Sequence, residues 1–349
     1  MKKALIVTDT GVVRARLVEP IVQSLGKAGV EAVVFDRIEA NPSEANIEEA
    51  AAAFVAAGAD GAVAVGGGSP IDAAKLVVLR ARVKLPFEEL DDAVDGWRHI
   101  PTGLSPIIAL PTTAGTGSEV GRSGVLTVKS TGRKTVVFSP NLIARVAILD
   151  PELTRSMPAK TTAATGFDAL THCLEAYLAR GDHPMADAVA LGGLELVARH
   201  LIDAVLRGDD LEARGGMMKA AMMGAVAFQK GLGACHSLAH PLSSECGLHH
   251  GLANALCLPA VVEFNEAVAH DRLARVARIF GGNGSAGSCA AVLRELRVKA
   301  GLPAGLEEVG VKREELDKLA DLAILDACHA SNPRPCSRAD LLALYERSF

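Results

Sequence analysis

The first 150 residues alternate short β-branched runs with helical patterns, and this alternation constrains the fold more than any other feature. Strands are predicted at ALIVT, EAVVF, GAVAVGG, PIIALP and VAILDP, with Ala- and Glu-rich helical segments between them. Strands that alternate with helices usually form a parallel sheet whose faces the helices cover. We therefore expect an α/β, Rossmann-like domain in this part of the chain.

The pattern changes after residue 150. From MPAKTTAATGFDALTHCLEAYLA onward, Ala, Leu and Met recur at helical spacing and β-branched clusters become rare. Pro151 disfavours continuous regular structure at the point where the composition shifts. The sequence predicts two domains, an α/β domain at 1–152 and an all-α domain at 153–349.

Composition restricts the class of partner. The formal net charge is −5 with both signs interspersed, which disfavours nucleic acid and anionic membranes and favours a small molecule. The apolar runs are short or interrupted, and we expect none of them to cross a bilayer. The N-terminus MKKALIVTDT shows no signal-peptide cleavage site, so we expect seven reduced cysteines in a cytoplasmic protein.

A glycine-rich turn follows the third predicted strand. In GAVAVGGGSPIDAAK, the glycines at 66–68 directly precede a helix for which Ser69 is the expected N-cap, Pro70 the first helical residue and Asp72 a capping-box acid. Backbone amides and the positive helix end would stabilise a diphosphate there. The motif is neither Gly-x-Gly-x-x-Gly nor a Walker loop, so plain turn structure is the competing interpretation.

Two further strand ends favour a nucleotide site. ALPTTAGTGSE places several hydroxyl side chains after the fourth strand, where α/β sheets bind ligands: Thr112, Thr113, Thr116 and Ser118. Asp36 ends the strand EAVVFD, where its carboxylate could accept hydrogen bonds from a ribose and repel a 2′-phosphate. A simple turn residue is an equal alternative for Asp36.

Carboxylate and imidazole side chains recur at helical spacing in the second half. Asp168 and His172 are four residues apart, His236 and His240 repeat that spacing, and His250 follows after a turn. Such donors suit a divalent first-row metal without any thiolate. One such pair alone would favour an interaction on the protein surface. Two pairs and a further histidine within segments rich in apolar residues favour a metal site, because unpaired polar groups are costly to bury.

Several stretches together resemble the iron-dependent (group III) alcohol dehydrogenase family. The matching pieces are GGGSPIDAAK, LPTTAGTGSEV, ILDPEL, TAATGFDALTHCLEAY and GACHSLAHPLSSECGLHHGLANALCLP, in the family's order over most of the chain. The resemblance implies a dinucleotide-binding N-terminal domain and a metal-binding C-terminal domain, in an architecture like that of dehydroquinate synthase. It also implies a homodimer or higher homo-oligomer.

The resemblance assigns roles to individual residues. It implies that the metal ligands are Asp168, His172, His236 and His250, whereas His240 lies near substrate and nicotinamide as a proton relay. The implied NAD contacts are Asp36, Gly67, Gly68, Ser69, Asp72, Thr112, Thr113, Thr116, Ser118 and Lys134.

The expected activity is the metal-dependent, NAD(H)-linked interconversion of a small primary alcohol or diol and its aldehyde, with Fe²⁺ or alternatively Zn²⁺. A lyase like dehydroquinate synthase and a maleylacetate reductase are alternatives, but their anionic substrates need cations. Residues 228–262 contain only Lys230 as a basic residue other than histidine. A non-catalytic metal-binding protein is the third alternative, and it predicts no NADH binding.

Overall fold

The chain forms two compact units in a computed structural model that describes residues 1–129 and 134–349. The N-terminal unit comprises Met1–Thr113 and Ser118–Ser156. The helical unit comprises Ala114–Gly117 and Met157–Phe349. The domain ranges 1–152 and 153–349 stay a prediction.

A five-stranded parallel sheet forms the centre of the N-terminal unit. In spatial order its strands are β2 (Glu31–Phe35), β1 (Lys3–Val7), β3 (Gly61–Gly66), β4 (Ile107–Pro111) and β7 (Val146–Ala147). All five runs predicted as strands contribute to this sheet. Every residue of β3 is buried, as expected for a strand covered on both faces.

Helices cover both faces of the sheet. Those of the N-terminal unit are α1 (Thr10–Arg14), α2 (Val18–Lys27), α3 (Glu44–Ala56) and α4 (Gly68–Arg82). Leu5 of β1 packs in one hydrophobic cluster with Leu76 of α4, whereas the adjacent Ile6 belongs to a second cluster with Val18 of α2. Successive side chains of a strand point to opposite faces, so the two clusters lie on opposite sides of the sheet. The predicted α/β architecture is confirmed.

An antiparallel hairpin was not expected from the sequence. Its strands are β5 (Ser123–Thr127) and β6 (Lys134–Phe138), with Val125 opposite Val136. Alternate residues of both strands are buried, so each presents one face to the protein. Such half-buried strands carry few apolar residues, which explains why the β-branched runs alone did not reveal β5.

The helical unit contains no β-strand among its described residues, which confirms the predicted all-α region. Its α-helices are α5 (Ala159–Leu178), α6 (Pro184–Leu206), α7 (Leu211–Ala227), α8 (Ala234–Glu245), α9 (His250–Ile279), α10 (Gly287–Lys299), α11 (Leu316–Ala323) and α12 (Arg338–Arg347). Residues 162–178 of α5 are all buried. Its polar side chains must therefore find partners inside the protein.

One helix is long and apolar enough to span a membrane by length and composition. It is α9, and 78% of its apolar window is buried inside the protein. Polar residues interrupt its sequence, so it does not stand out as a continuous apolar run. A core helix of a soluble protein meets the same criterion, so α9 alone does not indicate a membrane.

Candidate metal centre and nucleotide loops

Helix α5 brings three acidic or imidazole side chains to one face. Asp168, His172 and Glu175 follow one another at intervals of four and three residues, which places them on the same side of the helix. All three are buried, with exposures of 3%, 6% and 3%. This face of α5 therefore carries a row of ionisable side chains that are buried inside the helical unit.

Two further helices complete a cluster around Asp168. His236 lies in the first turn of α8 and His250 is the first residue of α9. The Nε2 atoms of His172, His236 and His250 lie 4.0, 3.9 and 3.3 Å from Asp168 Oδ1. The structure thus brings the four predicted metal ligands together around one carboxylate oxygen.

The electrostatics of the cluster favour neutral imidazoles at two positions. Burial lowers the pKa of His172 to about 4, and burial also holds the pKa of His250 well below its ordinary value. For Asp168, burial opposes ionisation, but the neighbouring imidazoles and the Asn254 amide outweigh burial and lower its pKa. Neutral imidazoles and an ionised carboxylate are the forms that bind a divalent cation.

A second group of side chains orients this cluster. Glu175 Oε2 lies 2.6 Å from His236 Nδ1, and Glu175 Oε1 accepts a 2.6 Å hydrogen bond from the Cys235 backbone N–H. A proton on His236 Nδ1 would leave the Nε2 lone pair directed at the cluster. The carboxylate outweighs burial and raises the pKa of His236. Asn254 donates from Nδ2 to Asp168 Oδ1 at 2.9 Å.

Sequence reasoning missed both Glu175 and Asn254. A periodicity signal for them existed, because Glu175 follows His172 by three residues and Asn254 follows His250 by four. Applying helical spacing outward from each ligand candidate would have identified both positions.

His240 is held by a carboxylate from a distant part of the unit. Its Nδ1 lies 2.7 Å from Asp326 Oδ2, and Ser237 Oγ donates to Asp326 Oδ1 at 2.8 Å. The His240 ring stacks on His250 with 5.3 Å between centroids, and its side chain is 34% exposed. Asp326 carries no spacing signal, since 85 residues separate it from His240.

The residues present fit a divalent metal ion. Asp168, His172 and His236 each offer a ligand atom within 4.8 Å of the others, and His172 Nδ1 is buried with no hydrogen-bond partner among residues 1–129 and 134–349. The neighbouring thiols do not compete: burial raises the pKa of Cys173 to about 12, and Cys235 Sγ is directed to the Asn254 carbonyl. The donor set is therefore one carboxylate and imidazoles, which suits Fe²⁺ or Zn²⁺.

The nucleotide candidates of the N-terminal unit lie at the carboxyl ends of parallel strands. Thr112 donates its backbone N–H to Gly66 O at 2.9 Å, which joins the ends of β3 and β4. A Cβ on Gly67 would lie 3.2 Å from Thr113 Oγ1, so this hydroxyl lies against the glycine turn. Asp36 directly follows β2 and its side chain is 41% exposed.

The start of α4 differs from the expectation. The helix begins at Gly68 with Gly67 as its N-cap, and within the described part of the chain no side chain caps it. Gly66 adopts φ +154°, which glycine tolerates, so the chain turns directly after β3. Ser69 Oγ accepts instead from the Asn41 backbone N–H, and Asp72 bonds the Ser118 hydroxyl. The predicted capping by Ser69 and Asp72 is therefore wrong.

The remaining cofactor candidates lie in different surroundings. Asp72 and Ser118 are hydrogen-bonded to each other, and Lys134 is the exposed first residue of β6. Thr116 belongs to Ala114–Gly117, the short segment that groups with the helical unit. In that segment, a Cβ on Gly115 would lie 3.3 Å from Asp168 Oδ2.

Comparison with known proteins gives matches along nearly the whole chain. Residues 1–151 match the family described as iron-containing alcohol dehydrogenase, and residues 162–349 match the C-terminal part of the Fe-containing alcohol dehydrogenase family. The 4-hydroxybutyrate dehydrogenase of Cupriavidus necator is 42% identical, covering 100% of this chain and 93% of the relative. The NAD-dependent methanol dehydrogenase of Bacillus methanolicus is 36% identical, with coverages of 100% and 92%. The crystal structure of a 1,3-propanediol oxidoreductase superimposes with a TM-score of 0.95 at 36% identity, with coverages of 100% and 92%.

Proposed function

The chain belongs to the iron-containing alcohol dehydrogenase family, and on that premise we propose that it interconverts a small primary alcohol or diol and its aldehyde using NAD(H) and a divalent metal. Family membership confirms the predicted class of enzyme, a metal-dependent alcohol dehydrogenase. The observation that carries the proposal is the convergence of three imidazole Nε2 atoms on one Asp168 oxygen.

Asp168, His172, His236 and His250 would hold the metal. When bound, a divalent cation acts as a Lewis acid that favours loss of the alcohol proton and polarises the aldehyde carbonyl. The protein's own contribution is to keep two of the imidazoles deprotonated and to direct the donors inward. Burial keeps His172 and His250 neutral, and Glu175 orients His236.

His240 would move the proton between the substrate hydroxyl and solvent. Hydrogen bonds from His240, Ser237 and the Cys328 backbone N–H outweigh burial and hold the pKa of Asp326 far below its ordinary value, so this carboxylate stays ionised. An ionised Asp326 fixes the proton of His240 on Nδ1 and leaves Nε2 as the atom that accepts a proton. The partly exposed ring has access to solvent.

Removal of the His240 imidazole tests the relay. We expect His240→Ala to lower kcat and flatten its pH profile, and Asp326→Asn to give a smaller loss because the imidazole remains. Full turnover of His240→Ala across the pH range would remove the relay role, while leaving the dehydrogenase assignment intact.

The N-terminal unit would bind NAD. The backbone amides at the uncapped start of α4 and the Thr113 hydroxyl are suited to a diphosphate. Asp36 would accept from a ribose and disfavour NADP, and it lies beside a hollow lined by Val13, Val18 and Val34. The remaining proposed contacts are Gly67, Gly68, Ser69, Asp72, Thr112, Thr116, Ser118 and Lys134.

A neutral substrate is favoured over an anionic one. Lys230, the only lysine or arginine in residues 228–262, has a side chain that is 2% exposed, and its Nζ lies 2.6 Å from Asp187 Oδ1. It also donates to the Tyr177 carbonyl at 3.4 Å. The Lys230 ammonium group is therefore paired within the protein and is not placed to bind a substrate carboxylate. This disfavours the lyase and maleylacetate reductase alternatives.

The proposal is tested with protein purified without chelators. We expect about one iron or zinc per chain, quenching or enhancement of NADH fluorescence on binding, and NADH oxidation with small aldehydes. We expect higher kcat/KM for 1,4-butanediol than for 4-hydroxybutyrate, which tests the neutral-substrate preference. Absence of NADH binding by the folded, metal-loaded protein would refute the dehydrogenase and favour a non-catalytic metal-binding protein.

We further propose a cytoplasmic homodimer or higher homo-oligomer. All seven cysteines are free, which suits a reducing compartment. In the described part of the sheet β2 is an edge strand, and its Val34 is 41% exposed. Light scattering after size exclusion would test the oligomer, since a mass near 36.2 kDa would contradict it.

A further inference from the structure

A cysteine thiol lies beside the proposed proton relay. Cys328 follows Asp326 by two residues, and one ligand atom each of His240, Asp326 and Cys328 lies within 4.8 Å of the other two. All three residues are half-buried, and the neighbouring Leu325 is 68% exposed, so ions in solvent have access to this cluster. The relay requires the imidazole and the carboxylate only. The relay therefore does not account for the thiol.

The carboxylate of the cluster is held in place by the surrounding chain. Asp326 Oδ1 accepts from Ser237 Oγ and from the Cys328 backbone N–H, each at 2.8 Å. Ser237 Oγ accepts in turn from the His329 backbone N–H at 2.8 Å. These bonds leave Asp326 Oδ2 directed at His240 Nδ1, 2.7 Å away. The carboxylate is therefore oriented before any ion binds, as in metal sites whose ligands are themselves hydrogen-bonded.

The three donors suit zinc. Zn²⁺ binds imidazole nitrogen, carboxylate oxygen and thiolate sulfur at about 2.0–2.3 Å, so two ligand atoms of one ion lie about 3–4 Å apart. Donor atoms that already lie within 4.8 Å of one another reach this spacing with small side-chain movements. The donors around Asp168 are a carboxylate and imidazoles, whereas this cluster adds sulfur. Sulfur favours soft metal ions, so the two sites differ in their preference.

We propose that His240, Asp326 and Cys328 form a second zinc site, weaker than the centre at Asp168, and that its occupancy inhibits the enzyme. The ion binds His240 Nδ1, Asp326 Oδ2 and Cys328 Sγ, and solvent completes its coordination. The thiol releases its proton to solvent, and the ring proton moves from Nδ1 to Nε2. An Nε2 atom that carries a proton no longer accepts one from the substrate hydroxyl. The zinc site follows from the geometry alone, whereas the inhibition rests on the proposed function, because it takes His240 as the relay.

A cadmium titration tests the site independently of catalysis. Cd²⁺ bound to a thiolate absorbs in the ultraviolet by charge transfer from sulfur, whereas Cd²⁺ that exchanges into the carboxylate and imidazole centre at Asp168 does not. We expect full-length, zinc-loaded protein to develop this absorption with saturation at about one Cd²⁺ per chain, and Cys328→Ser to lack it. Absence of the absorption in the wild type, or its persistence in Cys328→Ser, would overturn the inference.

A second half-buried thiol in the same part of the chain offers a matched control. Cys336 Sγ lies 3.5 Å from the Arg334 carbonyl oxygen and does not belong to the cluster. Cys336→Ser should keep the cadmium absorption of the wild type. Cys328→Ala replaces Cys328→Ser if the latter does not fold. Failure of both Cys328 variants to fold, while Cys336→Ser folds, would assign the Cys328 thiol to folding and overturn the site.

Initial rates of the zinc-loaded enzyme in added Zn²⁺ test the inhibition, with Mg²⁺ as the control for ionic effects. Because the first site already holds zinc, metal exchange there does not change the rate. We expect Zn²⁺ to lower kcat reversibly, and Cys328→Ser to keep the wild-type kcat without added zinc but to need about tenfold more Zn²⁺ for half inhibition. Equal inhibition of both proteins would overturn the inference. Absence of turnover by the wild type without added Zn²⁺ would refute the proposed function, and the cadmium titration would still decide the site.

Discussion

Replacing Glu175 by glutamine should weaken metal binding by about 10- to 100-fold, although no proposed ligand is changed. The carboxylate faces two donors, the His236 ring at Nδ1 and the Cys235 backbone N–H, each at 2.6 Å. A glutamine amide accepts through one oxygen only, so its NH₂ group must face one of these donors. Both carboxylate oxygens are therefore needed in the wild-type arrangement.

The magnitude follows from the burial of the site. Hydrogen bonds to a charged group contribute about 1.5–3 kcal/mol each, and a buried donor without a partner costs about 1–3 kcal/mol. A 10- to 100-fold loss of affinity corresponds to about 1.4–2.8 kcal/mol, which lies within the same range. Glu175 is 3% exposed, so water has little access with which to replace the lost acceptor.

The assay is competition for Zn²⁺ or Fe²⁺ against a chromophoric chelator, together with thermal melts of the metal-free proteins. Glu263→Gln is the control, because Glu263 lies on α9 and pairs with Arg294 at 2.6 Å and Arg347 at 2.5 Å. It should lower the midpoint slightly and leave metal affinity unchanged. A folded Glu175→Gln variant with metal affinity within twofold of wild type would refute the argument that Glu175 orients His236.

Three further predictions concern the metal, the glycine turn and the thiols. Adding a strong chelator should lower the thermal midpoint, since a metal present at 100 times its Kd adds about 2.7 kcal/mol of stability, and an unchanged midpoint would contradict the proposed site. Gly66→Ala should lower the free energy of unfolding, measured in urea, by about 1–3 kcal/mol, because φ is +154° and the new Cβ would lie 2.5 Å from the Pro70 ring. An unchanged free energy of unfolding would exclude this strain. Ellman's reagent at pH 8 should label no more than three thiols in the native protein and seven in denaturant. Burial raises the pKa of Cys173, Cys257 and Cys289 to about 12, so moving from pH 7 to pH 9 should not expose a fourth native thiol.

The sequence predicted the sheet well because its strands are apolar runs rich in β-branched residues that alternate with helical segments, a pattern typical of a parallel sheet. The same criterion did not identify β5, because only two of its five residues, Val125 and Leu126, have aliphatic side chains. The start of α4 was placed wrongly because the φ of Gly66 decides it, and composition does not reveal which glycine adopts that conformation.

Helical spacing was sufficient to predict the candidate metal ligands, but it could have revealed only some of the groups that orient them. Glu175 and Asn254 continue the periodicity of their helices and could have been found. Asp326 meets His240 only through tertiary folding, and no local pattern indicates that contact. The buried Lys75 likewise meets Ser118 only through tertiary folding, because the two residues lie 43 positions apart in sequence.

The close approach of α9 to α5 has a consequence for how this enzyme can be re-engineered. A Cβ on Gly251, the residue after His250, would lie 2.0 Å from the Ala164 carbonyl oxygen. Any side chain there would push apart two segments that each carry a proposed ligand. Mutant libraries that seek new substrates should therefore keep this glycine and vary other positions. Substitutions at Gly251 would separate the proposed ligands and yield variants that no longer bind the metal.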